Sequence, residues 1–344
     1  VELKGTWRYK QCEHLKRIFP QMRRKGITQE VREVFNSRVV GRGDVNMPDI
    51  VTTKIATRKN SVRESFNDRV FLDYLERNNP RGSSDCVARG AIVIKGDLSW
   101  TVTNAKLSYA ERKVVFNHAR ESDTFVARSS GSKRVAPMLK LFKGCQVMCL
   151  ENENVSCGIA NGTTALLEQV LLKDGMHPHK IRVNGYYVWA VRAEEVDCVK
   201  LKWTEDSTFQ GYFYLKPKSQ RCKSNVKIPG KGNTTIHIGL YQVPISVNHA
   251  TTGHKLQGKT VDSLLVAEWA SKNVRNWTYV VLSRIRSLAQ LFLLTPLPED
   301  VDEYPDSRIS DMLNRLRERL KILMETPAAL RCRAVARTIF VADD

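Results

Sequence analysis

Residues 253–260 read GHKLQGKT, which satisfies letter for letter the pattern G-x-x-x-x-G-K-[ST] of a phosphate-binding loop. In such a loop, the backbone amides and the lysine hold nucleotide phosphates, so Lys259 is the first candidate ligand. A loop of this kind follows a buried strand and opens directly into a helix. Here the next segment, VDSLLVAEW at 261–269, is rich in valine and leucine and predicts a strand instead. The pattern by itself therefore leaves two interpretations open.

The charge of the chain points to a polyanionic partner. The 344 residues include 55 Lys+Arg against 36 Asp+Glu, a formal net charge of +19. Such an excess favours nucleic acid first and an anionic membrane surface second, although a solvated basic surface also accounts for it. No apolar run approaches the roughly 20 residues that span a bilayer, so we expect no membrane partner.

The pattern of apolar, polar and turn-forming residues changes twice along the chain. Residues 138–245 contain short β-prone runs separated by turn signals such as NG, KDG and PGKGN, which predict a small barrel or sandwich. The flanking parts alternate strand and helix patterns, which favour an α/β domain with a parallel sheet. In those parts we predict strands at 50–57, 261–269 and 288–296 and a helix at 273–285.

The segments around the opening stretch resemble motifs V and VI of superfamily-one helicases of the PIF and RecD type. Those families read T-x-H-K-S-Q-G-x-T-L-D and then Y-V-A-L-S-R-x-R-S, and this chain carries HATTGHKLQGKTVD and WTYVVLSRIRS. Gly253 stands where the family has isoleucine, and Leu256 stands where it has serine. Gly253 and the lysine at 259 together create the likeness to a phosphate loop, so the resemblance implies that Lys259 does not bind phosphate.

Further parts of the chain resemble the same family in the same order. LKGTWRYK near the start is similar to motif IV and places an arginine, Arg8, after an aromatic residue. TRKNSVRESFN at 57–67 is similar to T-x-x-x-x-V-x-x-x-N, with one extra residue before Asn67. Residues 139–163 are similar to the segment that opens the family's inserted barrel, although Phe142 and Cys149 depart from the pattern.

The resemblance implies a fold and a set of domains. The fold is an α/β, RecA-like second motor domain, a parallel sheet with flanking helices, with an inserted small β-barrel. Its domains are then as follows: the first part of the motor domain at 1–137, the barrel at 138–245, the second part with motifs V and VI at 246–296, and a helical tail at 297–344.

The resemblance also implies an activity and the residues that perform it. The chain would be the C-terminal motor half of an ATP-dependent DNA helicase, an ATP hydrolase. Arg8 and Arg284 would be its catalytic residues, because an arginine can neutralise charge that develops on the γ-phosphoryl group. The remaining site residues divide between the nucleotide (Gln257 and Gly258) and single-stranded DNA (Thr252, His254 and Lys255).

The partners implied are ATP with Mg²⁺, single-stranded DNA and a first motor domain. That first domain would bind most of the nucleotide and the Mg²⁺, and the sequence holds no second phosphate-loop pattern that could do so. We therefore expect the isolated chain to lack ATP turnover. The resemblance further implies a monomer in the nucleus or another intracellular DNA-containing compartment, with roles in DNA repair, recombination and telomere maintenance.

Two other functions stay open at this point. One is a self-contained phosphate-loop NTPase that uses Lys259. The other is a non-enzymatic nucleic-acid-binding remnant, for example of a rolling-circle-transposon helicase. The eight cysteines include no C-x-x-C pair, and we predict reduced thiols and no metal site. Trp189 and Trp203 favour a position in the core over one that stacks on bases.

Overall fold

The computed structural model describes most of the chain up to Glu299. The described residues are 9, 11–79, 87–100, 107–111, 113–114, 125–127, 134–204, 209–230, 232–270 and 276–299, with 315 and 318. Arg8 and almost all of the tail predicted at 297–344 therefore lie outside the described residues.

The described helices alternate with strands at both ends of the chain, and strands fill the middle. The helices are α1 (Glu13–Lys25), α2 (Gln29–Asn36), α3 (Asn60–Asn78) and α4 (Trp277–Leu282). The strands are β1 (Lys54–Thr57), β2 (Val87–Lys95), β3 (Asp97–Trp100), β4 (Phe125–Ala127), β5 (Arg134–Val135), β6 (Met138–Phe142), β7 (Gln146–Cys149), β8 (Thr164–Leu172), β9 (His179–Val183), β10 (Tyr186–Arg192), β11 (Val196–Trp203), β12 (Tyr212–Leu215), β13 (Lys218–Ile228), β14 (Gly232–Gln242), β15 (Ile245–Val247), β16 (Ala250–Thr252), β17 (Leu264–Val266) and β18 (Leu291–Leu293).

A four-stranded parallel sheet holds both ends of the described chain together. Its order is β16-β1-β17-β18, and β1 pairs in parallel with both β16 and β17. All four residues of β1 and all three of β17 are buried, as expected for strands covered on both faces. The predicted α/β fold with a parallel sheet is therefore confirmed.

Helices cover the two faces of this sheet, because alternate strand residues enter two separate cores. Ala56 and Leu264 pack with the apolar side chains of α1, α2 and α4. Ile55 and Leu265 pack with those of α3, including Phe71. This alternation at a period of two residues separates the layers of a helix-sheet-helix sandwich.

The middle of the chain folds into three further sheets. Their orders are β6-β2-β10-β9, β12-β11-β8-β7-β15 and β3-β14-β13-β4-β5. The first and third of these sheets use β2 and β3, so hydrogen bonds between strands cross the boundary predicted at 137. The described residues of 180–215 contain strands and one short 3₁₀ turn, in agreement with a β-rich insertion. Closure of these strands into a barrel, and the domain limits, stay predictions.

The predicted strands are longer than the observed ones, and one tryptophan was placed wrongly. Pairing in the parallel sheet covers three or four residues of each predicted segment, since the residues beyond them turn into the loops that carry the site. Trp203 is buried against Phe213, with ring centroids 4.4 Å apart, as predicted. The core position predicted for Trp189 is wrong, because 40% of its surface is exposed at the outer side of β10.

Candidate nucleotide and nucleic-acid site at the edge of the parallel sheet

The stretch 253–260 forms a turn at the end of an edge strand. It follows β16 directly, makes one 3₁₀ turn at Gly253–Leu256 and then runs as a loop toward β17. The amide of Gln257 donates to the carbonyl of His254 at 3.2 Å, and that of Lys259 donates to Leu256 at 3.0 Å. No helix begins between 257 and 266, a stretch that is described throughout. Two amides of the loop are therefore bonded within the turn itself, and the helix into which a phosphate-binding loop opens does not begin here.

The side chain of Lys259 turns toward the β-rich middle of the chain. Its ammonium donates to the carbonyl oxygen of Gly162 at 3.4 Å. Partial burial lowers the pKa of Lys259, because the charged form loses solvation. Gly162 lies in the tight turn predicted at Asn161 and Gly162, with φ at +96°. Lys259 thus connects the motif V segment to a turn of the β-rich region.

Gly253 leaves room for a tryptophan. A β-carbon at this position would lie 2.5 Å from Cε2 of Trp277 and 2.7 Å from Cγ2 of Val281, both on α4. Trp277 is 2% exposed and is among the largest fully buried side chains. This contact explains why glycine replaces the isoleucine of the resembling helicases, since the indole ring fills the space that a side chain would take.

We expect Gly253→Ala to lower the free energy of unfolding by about 1–3 kcal/mol, because the added methyl group overpacks the contact with Trp277. Urea unfolding of the chain measures this loss. The matched background is Trp277→Phe, whose smaller ring makes space, and there Gly253→Ala should cost clearly less. Equal losses in the two backgrounds would contradict the steric explanation.

Arg284 ties the motif VI helix to the loop of motif V. It follows α4, is 8% exposed, and donates through Nε to the carbonyl of Val280 at 2.6 Å. Its Nη1 donates to the carbonyl of Lys259 at 3.4 Å, and its Nη2 to Oγ of Ser283 at 2.6 Å. In return, the amide of Val261 donates to the carbonyl of Arg284 at 3.0 Å. The two segments, which are separate in sequence, therefore form one unit.

A second pair joins the same two segments at the surface. The guanidinium of Arg286 lies 3.7 Å from the carboxylate of Asp262, and both side chains are more than half exposed. Each belongs to one of the two motifs that the resemblance rests on. An exposed pair of this kind contributes little to stability, so the inward bonds of Arg284 carry most of the connection.

The site residues predicted for DNA and nucleotide lie along the same loop. Thr252 ends β16 and is partly buried, while the residues His254, Gln257 and Gly258 are exposed. Gly258 adopts φ of +81°, a left-handed conformation that favours glycine. The roles assigned to these residues stay predictions. Arg8 lies outside the described residues, so its catalytic role also stays a prediction.

Tyr9, the neighbour of Arg8 in sequence, packs into the core beneath the motif VI helix. Its ring lies 4.9 Å from that of Phe19, which in turn meets Tyr279 of α4 edge to face at 5.8 Å. Tyr9 therefore shares a core with the segment similar to motif VI.

Four cations gather beside the loop, namely Lys54, Arg63, Lys255 and Lys259. Burial lowers the pKa of Lys54 well below its usual value, and the charges of Lys259 and Lys255 lower it further. The pKa of Lys255 is lowered by loss of solvation and then by Arg63 and Lys259. The ammonium of Lys255 also lies 3.9 Å from Sδ of Met148. Mutual repulsion of this kind would be relieved by an anion such as a phosphate group.

Beneath this cluster lies a polar layer that the sequence does not reveal. Lys54 donates to the carbonyl of Asn248 and to Oε1 of Gln146, the latter at 3.4 Å. The amide of Gln146 donates to Nε2 of His249 at 3.0 Å, and that histidine is 1% exposed. Burial first, and then the charge of Lys54, lower the pKa of His249 to about 3. Lysine and histidine within β-rich runs carry no signal that tells a buried position from a surface one.

One residue near this layer, Asn67, lies in a segment that the sequence analysis identified. The side-chain amide of Asn67 on α3 donates to the carbonyls of Val247 and Ala250 at 3.3 and 3.4 Å and accepts from the amide of Ala250 at 2.8 Å. Asn67 is the residue of the loosely matching segment at 57–67. It holds the turn that leads into the edge strand before motif V.

Solved structures of Pif1 helicases share this architecture. A Bacteroides Pif1 in complex with ADP-AlF3 and ssDNA matches with a TM-score of 0.54 at 13% identity, over 92% of this chain and 57% of that one. The Pif1 helicase from Candida albicans matches with a TM-score of 0.51 at 17% identity, over 92% and 60%. The chain has the fold of the Pif1 helicases. A structure of two coordinating Pif1 helicases at forked dsDNA matches with a TM-score of 0.52 at 15% identity, over 93% and 55%.

This likeness covers nearly all of the chain but a little more than half of each Pif1 protein, 55% to 60% of its length. No model of a protein family matches the sequence, and no curated protein matches it. The likeness to Pif1 confirms the predicted fold class.

The described residues form neither a cluster of metal ligands nor a membrane-spanning helix. Among them, no group of three or more His, Cys, Asp or Glu side chains could hold a metal ion. Of the helices in the same part of the chain, none has the length and apolar character needed to cross a membrane.

Proposed function

We propose that this chain is the second motor half of an ATP-dependent DNA helicase that moves along single-stranded DNA. The observation that carries the proposal is the tie through Arg284 between the loop at 257–261 and the helix α4. It joins the two segments that resemble motifs V and VI, in a chain with the Pif1 fold. We assign the phosphate loop and the Mg²⁺ ligands to a first motor domain.

In this proposal, Arg284 can exchange its hydrogen bonds to the protein for hydrogen bonds to the nucleotide. The acceptors at Nη1 and Nη2 are the carbonyl of Lys259 and the hydroxyl of Ser283. A guanidinium is equally suited to oxygens of a γ-phosphate, so the arginine would leave these partners when nucleotide binds between the two motor domains. The loop at 257–260 would then lose one of its restraints. Thr252, His254 and Lys255 lie at the start of the same loop, so their grip on the DNA would change with the nucleotide state.

The cations beside the loop suit a strand of phosphates. The charges of Lys259 and Lys255 lower the pKa of Lys54, those of Arg63 and Lys259 lower the pKa of Lys255, and the chain as a whole carries +19. Clustered cations bind the phosphate backbone of a nucleic acid without reading its sequence. Single-stranded DNA is therefore the partner that we propose for residues 252–255.

A second candidate function is a nucleic-acid-binding remnant without ATP turnover. The observation that favours it is the inward position of Arg284, since each of its three guanidinium nitrogens donates to an oxygen of the protein. In that case the arginine would serve the fold alone. Hydrolysis in a two-domain enzyme separates the candidates.

The test joins the chain to a first motor domain and measures ATP hydrolysis with and without single-stranded DNA. We expect stimulated hydrolysis from the joined enzyme and none from the isolated chain. Lys259→Ala should leave the affinity for an ATP analogue unchanged, because its ammonium bonds to Gly162. If Lys259→Ala abolishes nucleotide binding, the interpretation of 253–260 as a phosphate-binding loop is correct after all. If the joined enzyme folds but does not hydrolyse ATP, the result favours a nucleic-acid-binding remnant.

A further inference from the structure

Three lysines that are distant in sequence lie along strand β7, and two of them contact its side chains. Lys54 donates to Oε1 of Gln146 at 3.4 Å, and the ammonium of Lys255 lies 3.9 Å from Sδ of Met148. Gln146 and Met148 are two residues apart on β7, so their side chains point to the same side of the strand and lie roughly 7 Å apart along it. These contacts place the two lysines one after the other on one side of β7.

The third lysine, Lys259, lies at the end of the same strand. Its ammonium donates to the carbonyl of Gly162 at 3.4 Å. The turn at Gly162 is bonded to β7, because its amide donates to the carbonyl of Cys149 at 2.9 Å. Lys54 is buried, Lys259 is partly buried and Lys255 is exposed, so the row that they form reaches solvent. We call these three side chains the lysine row.

The lysine row carries more positive charge than its surroundings balance. Among the described residues, no carboxylate pairs with any of its three ammonium groups. Arg63, a fourth cation beside the row, pairs with Glu64 at 2.9 Å. Loss of solvation lowers the pKa of all three lysines, and repulsion by neighbouring cations lowers the pKa of Lys54 and of Lys255 further. An anion bound along the row would remove this cost.

We propose that the lysine row holds successive backbone phosphates of single-stranded nucleic acid along β7. This inference rests on the proposed function, and it extends the contact with the strand from the loop at 252–255 to the β-rich middle of the chain. A structural role accounts for Lys54, whose bonds connect β1 to β7, but it does not require two further lysines beside it. The phosphates of a nucleotide are less suited, because the amides of Gln257 and Lys259 are bonded within the turn.

The test measures binding of a labelled oligo-dT strand to the whole 344-residue chain by fluorescence anisotropy. Methionine replaces lysine without its charge, and Lys54→Met and Lys259→Met should each weaken binding by roughly 10- to 100-fold, the range for one hydrogen bond to a charged group. Each should also reduce the slope of log affinity against log salt by about 0.7. Urea unfolding checks that each variant is folded, and Lys259→Met keeps the test decisive if Lys54→Met does not fold.

The pH dependence of binding separates a phosphate contact from a structural role of Lys54. A lysine whose pKa is lowered in the free chain takes up a proton when a phosphate binds it, so affinity should fall as the pH rises from about 7 to about 9. Lys54→Met should flatten this profile. Other groups around Lys54 do not titrate in that window, since the pKa of His249 is about 3, that of Cys145 is about 12, that of Asp49 is lowered, and Arg63 stays charged.

The matched control is Lys16→Met, which removes the same charge from α1, where Lys16 pairs with Glu13. It should leave the affinity for the strand nearly unchanged. The proposal is overturned if either folded variant of the row binds the strand as the wild type does, if Lys16→Met loses as much, or if the wild type does not bind the strand. It is also overturned if an ATP analogue binds more weakly to the row variants, because the phosphates held there are then those of a nucleotide.

The proposed function and this inference fail on different results. Row variants that bind the strand normally refute the inference alone, since the proposed function depends on hydrolysis by the joined enzyme and on Arg284. A joined enzyme that does not hydrolyse ATP, but whose strand binding still depends on Lys54 and Lys259, refutes the proposed function alone.

Discussion

Arg284→Ala should lower DNA-stimulated ATP turnover of the enzyme joined to a first motor domain by roughly 10³-fold or more, as loss of an arginine finger does. The physical reason is that a guanidinium stays charged and offers a planar fork of donors to the oxygens of the transferred phosphoryl group. Steady-state hydrolysis with saturating single-stranded DNA measures the effect. The affinity for an ATP analogue should fall much less, because charge on the γ-phosphoryl group increases in the transition state.

Controls must separate this effect from a loss of structure, because Arg284 is buried and its removal deletes three hydrogen bonds to oxygens of the protein. We expect the free energy of unfolding to fall by about 1–3 kcal/mol. Arg284→Lys keeps a charge but not the fork, and it should also hydrolyse slowly. Arg42→Ala removes an exposed arginine whose Nη1 bonds to the carbonyl of Asn36, and turnover should be unchanged. A folded Arg284→Ala enzyme with turnover near that of the wild type would sink the catalytic assignment.

The second large effect is a loss of folding stability at acidic pH. His249 has a pKa of about 3 in the folded chain against an ordinary 6.5, because burial and the charge of Lys54 disfavour the imidazolium. The unfolded chain therefore binds a proton that the folded chain refuses, and stability falls as pH drops below 6.5 toward 3. This gap corresponds to on the order of 5 kcal/mol in full and about 2 kcal/mol by pH 5. Protonation would also break the bond from the amide of Gln146.

The measurement is urea unfolding of the chain at pH 7 and pH 5, for the wild type and for His249→Gln. Glutamine keeps an acceptor for the amide of Gln146 and does not titrate, so the variant should lose less stability between the two values. His14→Gln, at an exposed histidine, should lose as much as the wild type. If the wild type and His249→Gln respond equally to pH, the buried imidazole is not the source of the acid sensitivity.

Much of the fold could be predicted because its signals are local. Apolar, β-prone runs predicted three of the four strands of the parallel sheet, all but β16, and NG and KDG turns predicted the β-rich middle. The strand ends could not be predicted in the same way. The run 261–269, for example, ends on Trp269, which packs in the core although only Leu264–Val266 pair in the sheet.

The sequence predicted the order of the site residues along the chain but not the contacts between them. Motifs V and VI could be recognised since each is a short run of residues with fixed spacing. The bonds of Arg284 to Lys259, and of Lys259 to Gly162, join positions that are 25 and 97 residues apart. Nothing in either run specifies the partner.

The sequence by itself therefore determined the α/β class, the basic charge and the positions of the residues to test, because composition, periodicity and motif spacing are properties of neighbouring residues. The tertiary structure decided which of two tryptophans is exposed, why position 253 is a glycine, and that a lysine and a histidine are buried beside the loop. Those outcomes depend on which surfaces distant segments cover. Burial then sets the cost of charge and the space for a side chain, and neither can be read from a residue and its neighbours alone.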